Sequence, residues 1–181
     1  MLTKDTLASV IIVAENNGDD EVFNVYKNVI EGTHKNLDVI VSSFRDEQDT
    51  KDLQARCAEL KLDTRWVFHQ PSSNFIKELT DLAEGEVVFY KTCNNILWYP
   101  RHISVHLDGF NSDKGAKWAL SHTENRNIDA AESPFNTLSF RIDNPPKPDQ
   151  ITLDEICHIK GVETDWSQCI VDKDGTPLFY A

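Results

Sequence analysis

Four short apolar runs, each followed by a turn-rich loop or a helix-periodic stretch, confine this chain to a mostly parallel sheet covered by helices. The first, Ser9-Val10-Ile11-Ile12-Val13-Ala14, ends in Glu15-Asn16-Asn17-Gly18-Asp19-Asp20, a cluster of turn and cap residues. Val22, Val25, Tyr26, Val29 and Ile30 then recur at helical spacing behind an Asp19/Asp20 cap, and Gly32 stops them. The cycle repeats. Leu37-Asp38-Val39-Ile40-Val41 precedes an amphipathic helix marked by Leu53, Cys57 and Leu60. Thr64-Arg65-Trp66-Val67-Phe68 precedes a helix opened by Pro71-Ser72-Ser73, whose inner face is Phe75, Ile76, Leu79, Leu82 and Ala83. Gly85 ends that helix, and Glu86-Val87-Val88-Phe89-Tyr90 is the fourth strand. In sheets of this kind ligands gather beyond the carboxyl ends of the strands, which directs attention to the loops 15–20, 42–46, 69–73 and 91–95.

Beyond residue 95 the rhythm changes. Pro100 to Leu107 has a helical pattern, while Lys117 to His122 and Thr137 to Ile142 have strand patterns. Thr152-Leu153-Asp154-Glu155-Ile156-Cys157-His158 predicts a short helix, followed by a hairpin around Asp172-Lys173-Asp174-Gly175. The expected architecture is one α/β domain over residues 1–181, with an α+β extension at its C-terminal end.

Composition narrows the partners. With 30 acidic against 18 basic residues the chain carries a formal charge of −12, which repels nucleic-acid backbones and anionic membrane surfaces. The start is neither a signal peptide nor a spanning helix, so a cytoplasmic protein is expected. Cys57, Cys93, Cys157 and Cys169 lack a CxxC pair and predict reduced, mostly buried thiols.

Ser9-Val10-Ile11-Ile12-Val13-Ala14-Glu15-Asn16-Asn17 resembles the opening S-V-I-I-P-x-Y-N of the second family of nucleotide-sugar glycosyltransferases, with Val13 where proline is usual and Asn16 matching. His34 to Val41 resembles that family's Y-K-N-L-E-I-I-V, Gly85 to Tyr90 its G-E-Y-I-x-F, and Trp98 to Ile103 its W-x-P-x-x-L. The likeness covers residues 8 to about 107 and implies a GT-A fold, with residues 1–95 as the nucleotide-binding half and 96–181 as the acceptor side.

What it implies about the site is mixed, because function resides in the residues of the site and not in the fold. The family's base-binding acidic residue aligns with Ser43, and its metal-holding D-x-D aligns with Thr92-Cys93-Asn94. Neutral oxygens hold magnesium or manganese poorly, so the resemblance implies no divalent cofactor here. The candidate nucleotide-binding residues are Val13, Asn16, Ser43, Lys91, Thr92 and Asn94, with Arg45 and Arg101 as further cations in or near the same loops. Asp154 and Glu155 are the candidate general bases for an acceptor hydroxyl, although an acidic first turn of a helix looks the same. Lys91 reads equally as a side chain reaching solvent or a carboxylate. His102 and His106 share a helical face, and without a third ligand they read as exposed histidines rather than a metal pair.

A doubly wound nucleotide-binding regulator with no sugar link is a third reading, against which the absence of a Gly-rich phosphate loop counts, and two functions lead. One is a transferase moving sugar from a nucleotide-sugar donor to a glycan or other hydroxyl acceptor without metal. The other is a GT-A-like module that binds or assembles and performs no chemistry.

Overall fold

The structure is a computed structural model that describes residues 1–68, 75–93, 97–98, 100–112, 114, 116–123, 138–143, 156–161, 168–171 and 177–180. Its elements follow the expected alternation: β1 (Ala8–Ala14), α1 (Asp19–Glu31), β2 (Leu37–Ser43), α2 (Lys51–Ala58), β3 (Thr64–Phe68), α3 (Phe75–Leu82) and β4 (Val87–Thr92). Then come α4 (His102–Ser112), β5 (Trp118–Thr123), β6 (Leu138–Arg141), β7 (Ile156–Gly161), β8 (Gln168–Val171) and β9 (Pro177–Tyr180). The strands form one mixed sheet in the order β3-β2-β1-β4-β6-β5-β7-β8-β9. β1 is the hub, parallel to β2 on one side and to β4 on the other. β3 adds to β2 in parallel, whereas β6 joins β4 antiparallel and begins the mixed half.

Burial explains why β1, β2 and β4 contain such continuous apolar runs: Val10, Ile11, Ile12, Val39, Ile40, Val41, Val87, Val88 and Phe89 are all buried. Successive residues face opposite layers, since side chains alternate across a strand. Val10, Ile12, Val39, Val41 and Phe89 pack with Val22, Val25, Tyr26 and Val29 of α1, Leu53 and Cys57 of α2, and Ile103, Val105 and Phe110 of α4. Ile11, Val13, Ile40, Val88 and Tyr90 pack on the other face with Leu79 of α3 and Phe140 of β6. The result is a helix–sheet–helix sandwich.

The details differ from expectation in four places. Leu60 lies beyond the end of α2 and is exposed, so Leu53 and Cys57 carry that helix's inner face. The residue capping α1 is Gly18, whose N–H donates to the Glu21 carboxylate at 3.2 Å, while Asp19 and Asp20 lie inside the first turn. Leu82 is exposed at the last position of α3, so that helix is anchored through Leu79 and not through Leu82. Ile156, Cys157 and His158 belong to a strand, not a helix: β7 pairs in parallel with β5, Trp118 opposite Ile156. A long-range ladder there outweighs the local helix-start pattern. β8 and β9 form the expected antiparallel pair on either side of residues 172–176.

Candidate functional site

Register places the carboxyl ends of β1, β2 and β4 side by side. Ala14 lies opposite Ser43 and Val13 opposite Thr92, so the loops leaving these strands emerge on one edge. Pairing continues slightly past the strands, with Phe44 N–H donating to the Ala14 carbonyl at 3.3 Å and Cys93 N–H to the Val13 carbonyl at 3.2 Å.

The side chains on this edge are mostly neutral or already engaged. Ser43 is buried, and its Oγ accepts a hydrogen bond from Arg45 N–H at 3.1 Å. Val13 is a buried wall among Ile11, Ile40 and Tyr90 and has no polar group to offer. Asn16 is exposed and Thr92 half-buried. The Arg45 guanidinium donates to Asp19 at 2.5 Å and to the Asp49 carbonyl, tying the β2 loop to the start of α1. Asn94, Asp154 and Glu155 lie outside the described residues.

Lys91 does not reach solvent. It is fully buried, and its ammonium donates to the Thr92 carbonyl at 2.8 Å. Its charge acts inward: burial pushes the neighbouring Cys93 thiol up to about 12, a rise that the Lys91 charge partly offsets. Both Cys93 and Cys57 are thus inert buried thiols rather than nucleophiles.

The residue that organises the edge is Asn17, which sequence reasoning passed over for its neighbour Asn16. Asn17 Nδ2 donates to the Cys93 carbonyl at 2.7 Å and to Glu21 at 3.1 Å, while its Oδ1 accepts from Glu15 N–H at 3.2 Å. It therefore clamps the β1–α1 loop to the end of β4. The signal was present in the turn chemistry, since an asparagine one residue before a glycine cap is placed to satisfy loop amides and carbonyls.

His102 and His106 are buried, contrary to their reading as exposed. Their rings lie 4.4 Å apart, with Trp98 stacked on His102 at 4.3 Å and Phe89 at 5.4 Å from His106. Burial pushes His106 down to about 3 and His102 well below 6.5. Among the described residues, no group of three His, Cys, Asp or Glu side chains could hold a metal. A groove of about 310 Å³ runs beside α1, with Glu21, Asn24, Lys27, Asn28, Glu31 and Leu97 in its lining, and among the described residues no strand end borders it. Among the described residues, no helix is long and apolar enough to cross a membrane.

The fold is that of GT-A-type nucleotide-sugar enzymes. Glucosyl-3-phosphoglycerate synthase from Mycobacterium tuberculosis, solved with manganese, uridine diphosphate and glucosyl-3-phosphoglycerate, superposes with a TM-score of 0.62 at 11% identity, over 87% of this chain and 70% of the synthase. The mannosyltransferase PcManGT from Pyrobaculum calidifontis, solved with GDP-mannose and manganese, gives 0.57 at 15% identity over 74% of this chain. This chain spans only 44% of that mannosyltransferase. CMP:2-keto-3-deoxy-manno-octonic acid synthetase, solved with CTP, gives 0.60 at 11% identity over 86% of this chain and 90% of the synthetase. No protein-family model matches the sequence, and no curated protein matches it.

Proposed function

We propose that the chain is a glycosyltransferase-like module of GT-A type that binds a nucleotide-sugar or a glycan at the carboxyl edge of β1, β2 and β4 without a divalent cation. The observation that carries this reading is the combination of a GT-A strand edge with Ser43 and Thr92 at its strand ends, where the aligned family positions are acidic. Structurally similar enzymes were solved with manganese and a nucleotide together. Hydroxyl and amide groups do not replace the anionic oxygens a hard cation needs.

The same edge discourages a bare diphosphate. Arg45 is held by Asp19, and the N-terminus of α1, a natural phosphate site, already carries Asp19, Asp20 and Glu21. A ligand held through sugar hydroxyls or a base suits this surface better. Binding or assembly without transfer is therefore the reading we favour.

The alternative, metal-free transfer, needs a cation at this edge, and Lys91, one residue before Thr92, is fully buried with its ammonium on the Thr92 carbonyl. Under that reading Asp154 or Glu155 would take the proton of the acceptor hydroxyl. Calorimetric titration with UDP, GDP, UDP-glucose and GDP-mannose, with and without manganese, tests both. We expect weak binding that manganese does not change. Manganese-dependent tightening of tenfold or more, with release of free nucleotide diphosphate, overturns the cation-free reading.

A further inference from the structure

We propose that His102 and His106 form an acid-sensitive latch that holds α4 on the sheet, closed while both imidazoles are neutral and released when either takes up a proton. This inference is independent of whether the carboxyl edge holds a ligand.

The geometry is that of two titratable rings sealed in an aromatic stack. His102 is 4% exposed and His106 is fully buried. Trp98 lies nearly parallel over His102, and Phe89 of β4 presents its ring to both imidazoles at 6.0 and 5.4 Å. His106 Nδ1 meets Ser139 Oγ of β6 at 2.6 Å, but Nε2 of both rings is buried without a hydrogen-bond partner among the described residues. His34 shows the contrast: it is also buried, yet its Nε2 faces the Thr6 carbonyl at 2.9 Å.

Among the described residues, no carboxylate is paired with either ring. β4 contributes Lys91, followed just past its end by Cys93, and the Lys91 charge further opposes protonation of His102. β6 contributes Ser139 and Arg141, whose guanidinium donates to the Phe110 carbonyl at 3.1 Å and lies over the Phe110 ring. On α4 itself the charged group is Asp108, with Arg101 one residue before the helix, and on α1 Lys27 pairs with Glu31 at 3.6 Å. The strands α4 packs against, β5, β7 and β8, carry His122, Cys157, His158, Lys160 and Cys169 in their sequences. A metal fits poorly, because no third ligand completes the pair among the described residues and Lys91 adds positive charge.

The sign follows from burial. Both folded values are depressed below 6.5, so below that pH the open form binds protons that the closed form refuses. Release grows as the pH falls from 6.5 towards 3. For His106 alone, moving from pH 7.5 to pH 5 favours the open form by about 30-fold.

Amide hydrogen exchange on the full chain tests the latch, with protection factors corrected for intrinsic pH dependence. From pH 7.5 to 5 the amides of α4 should lose at least about 30-fold in protection while those of β1 and β2 keep theirs. The double variant His102→Phe, His106→Gln, which retains the stack and a partner for Ser139, should remove that pH dependence. Constant α4 protection in the unmodified protein, or an equal fall in the variant, overturns the proposal. Should the variant not fold, ¹³C-labelled histidine in the unmodified protein decides: rings that titrate near 6.5 while α4 stays protected overturn it, and rings that stay neutral until α4 opens support it.

Discussion

The two ends of the central strands contain the same kinds of residue put to opposite uses. At the amino end Asp38 is a fully engaged carboxylate: Ser9 Oγ donates to it at 2.5 Å, Glu84 N–H at 3.0 Å and the Arg65 guanidinium at 2.6 Å. These bonds hold its pKa below the usual value despite burial, which acts the other way. At the carboxyl end, where a GT-A enzyme would present carboxylates, stand the neutral side chains of Ser43, whose buried Oγ is engaged by Arg45 N–H, and Thr92, and the Arg45 guanidinium is paired with Asp19. The saturated end locks the strands together. The neutral end has no such network, and the contrast separates what stabilises the sheet from what the sheet displays.

The largest expected effect lies at the saturated end. Asp38→Ala removes the acceptor shared by the Arg65 guanidinium, Ser9 Oγ and Glu84 N–H and should cost about 2.5 kcal/mol, below the range for a fully buried pair because Arg65 is partly exposed and keeps the Glu84 carboxylate at 3.4 Å, while Glu84 N–H keeps Ser9 Oγ at 3.2 Å. Urea unfolding measures it. A loss under about 1 kcal/mol would show that the network is ornamental and the comparison empty. Acid separates this network from α4. Asp38 has a depressed folded pKa, so its contribution persists until the pH falls below about 3.8, whereas the histidine pair begins to destabilise below 6.5.

Gly85→Ala comes next. A Cβ at Gly85 would stand 2.4 Å from Ser9 N and 2.8 Å from the Leu7 carbonyl, backbone atoms that cannot step aside. Gly85 N–H also donates to Ser9 Oγ at 2.8 Å, so the displacement would pull on the Asp38 network. A cost of about 2 kcal/mol is expected in the same unfolding measurement. A neutral outcome would mean that the β4 entrance is looser than these distances indicate.

These residues also show what could be read without coordinates. β1, β2 and β4 were legible because strands buried on both faces must be continuously apolar, and α1 because Val22, Val25, Tyr26 and Val29 mark one face. The burial of His102 and His106 was not legible, since two polar residues at helical spacing imitate a solvated face. It depends on α4 being enclosed on nearly every side, with Ile103, Val105, Leu107 and Phe110 buried alongside them. β7 was hidden for a similar reason, because its strand state comes from pairing with β5, far away in sequence. Within the site, the strand-end positions of Ser43 and Thr92 followed from the alternation, but the seal over Lys91 did not.

At the carboxyl end the expected effects are on binding rather than folding. Thr92→Asp combined with Asn94→Asp supplies two anionic oxygens on an edge that has the GT-A register. Manganese should then tighten UDP or GDP binding by about tenfold, roughly 1.4 kcal/mol, with little change in the unfolding midpoint. Calorimetry with and without manganese reads this directly. If the double variant folds and still ignores manganese, residues 92–94 do not occupy the metal position of the fold.

The smallest effect is the most local, and it distinguishes a residue that builds the edge from one that is displayed on it. Asn17 and Asn16 are adjacent and chemically identical, yet Asn17 spans from the β1 loop to the Cys93 carbonyl and Glu21, while Asn16 is exposed. Asn17→Ala should therefore cost about 1 kcal/mol, the net worth of the interior hydrogen bond to Cys93, since the bond to Glu21 is exposed and adds little. Asn16→Ala should stay within about 0.5 kcal/mol, as surface changes without partners do. Binding should rank them the other way. If the carboxyl edge receives a sugar or a nucleotide, Asn16 has its amide available to the ligand, and its loss should weaken affinity severalfold at unchanged stability. Asn17 would act on the ligand only by letting the β1–α1 loop drift from β4. Equal effects of the two changes on both stability and binding would erase the distinction between clamp and displayed ligand group, and with it the assignment of this edge as the binding surface.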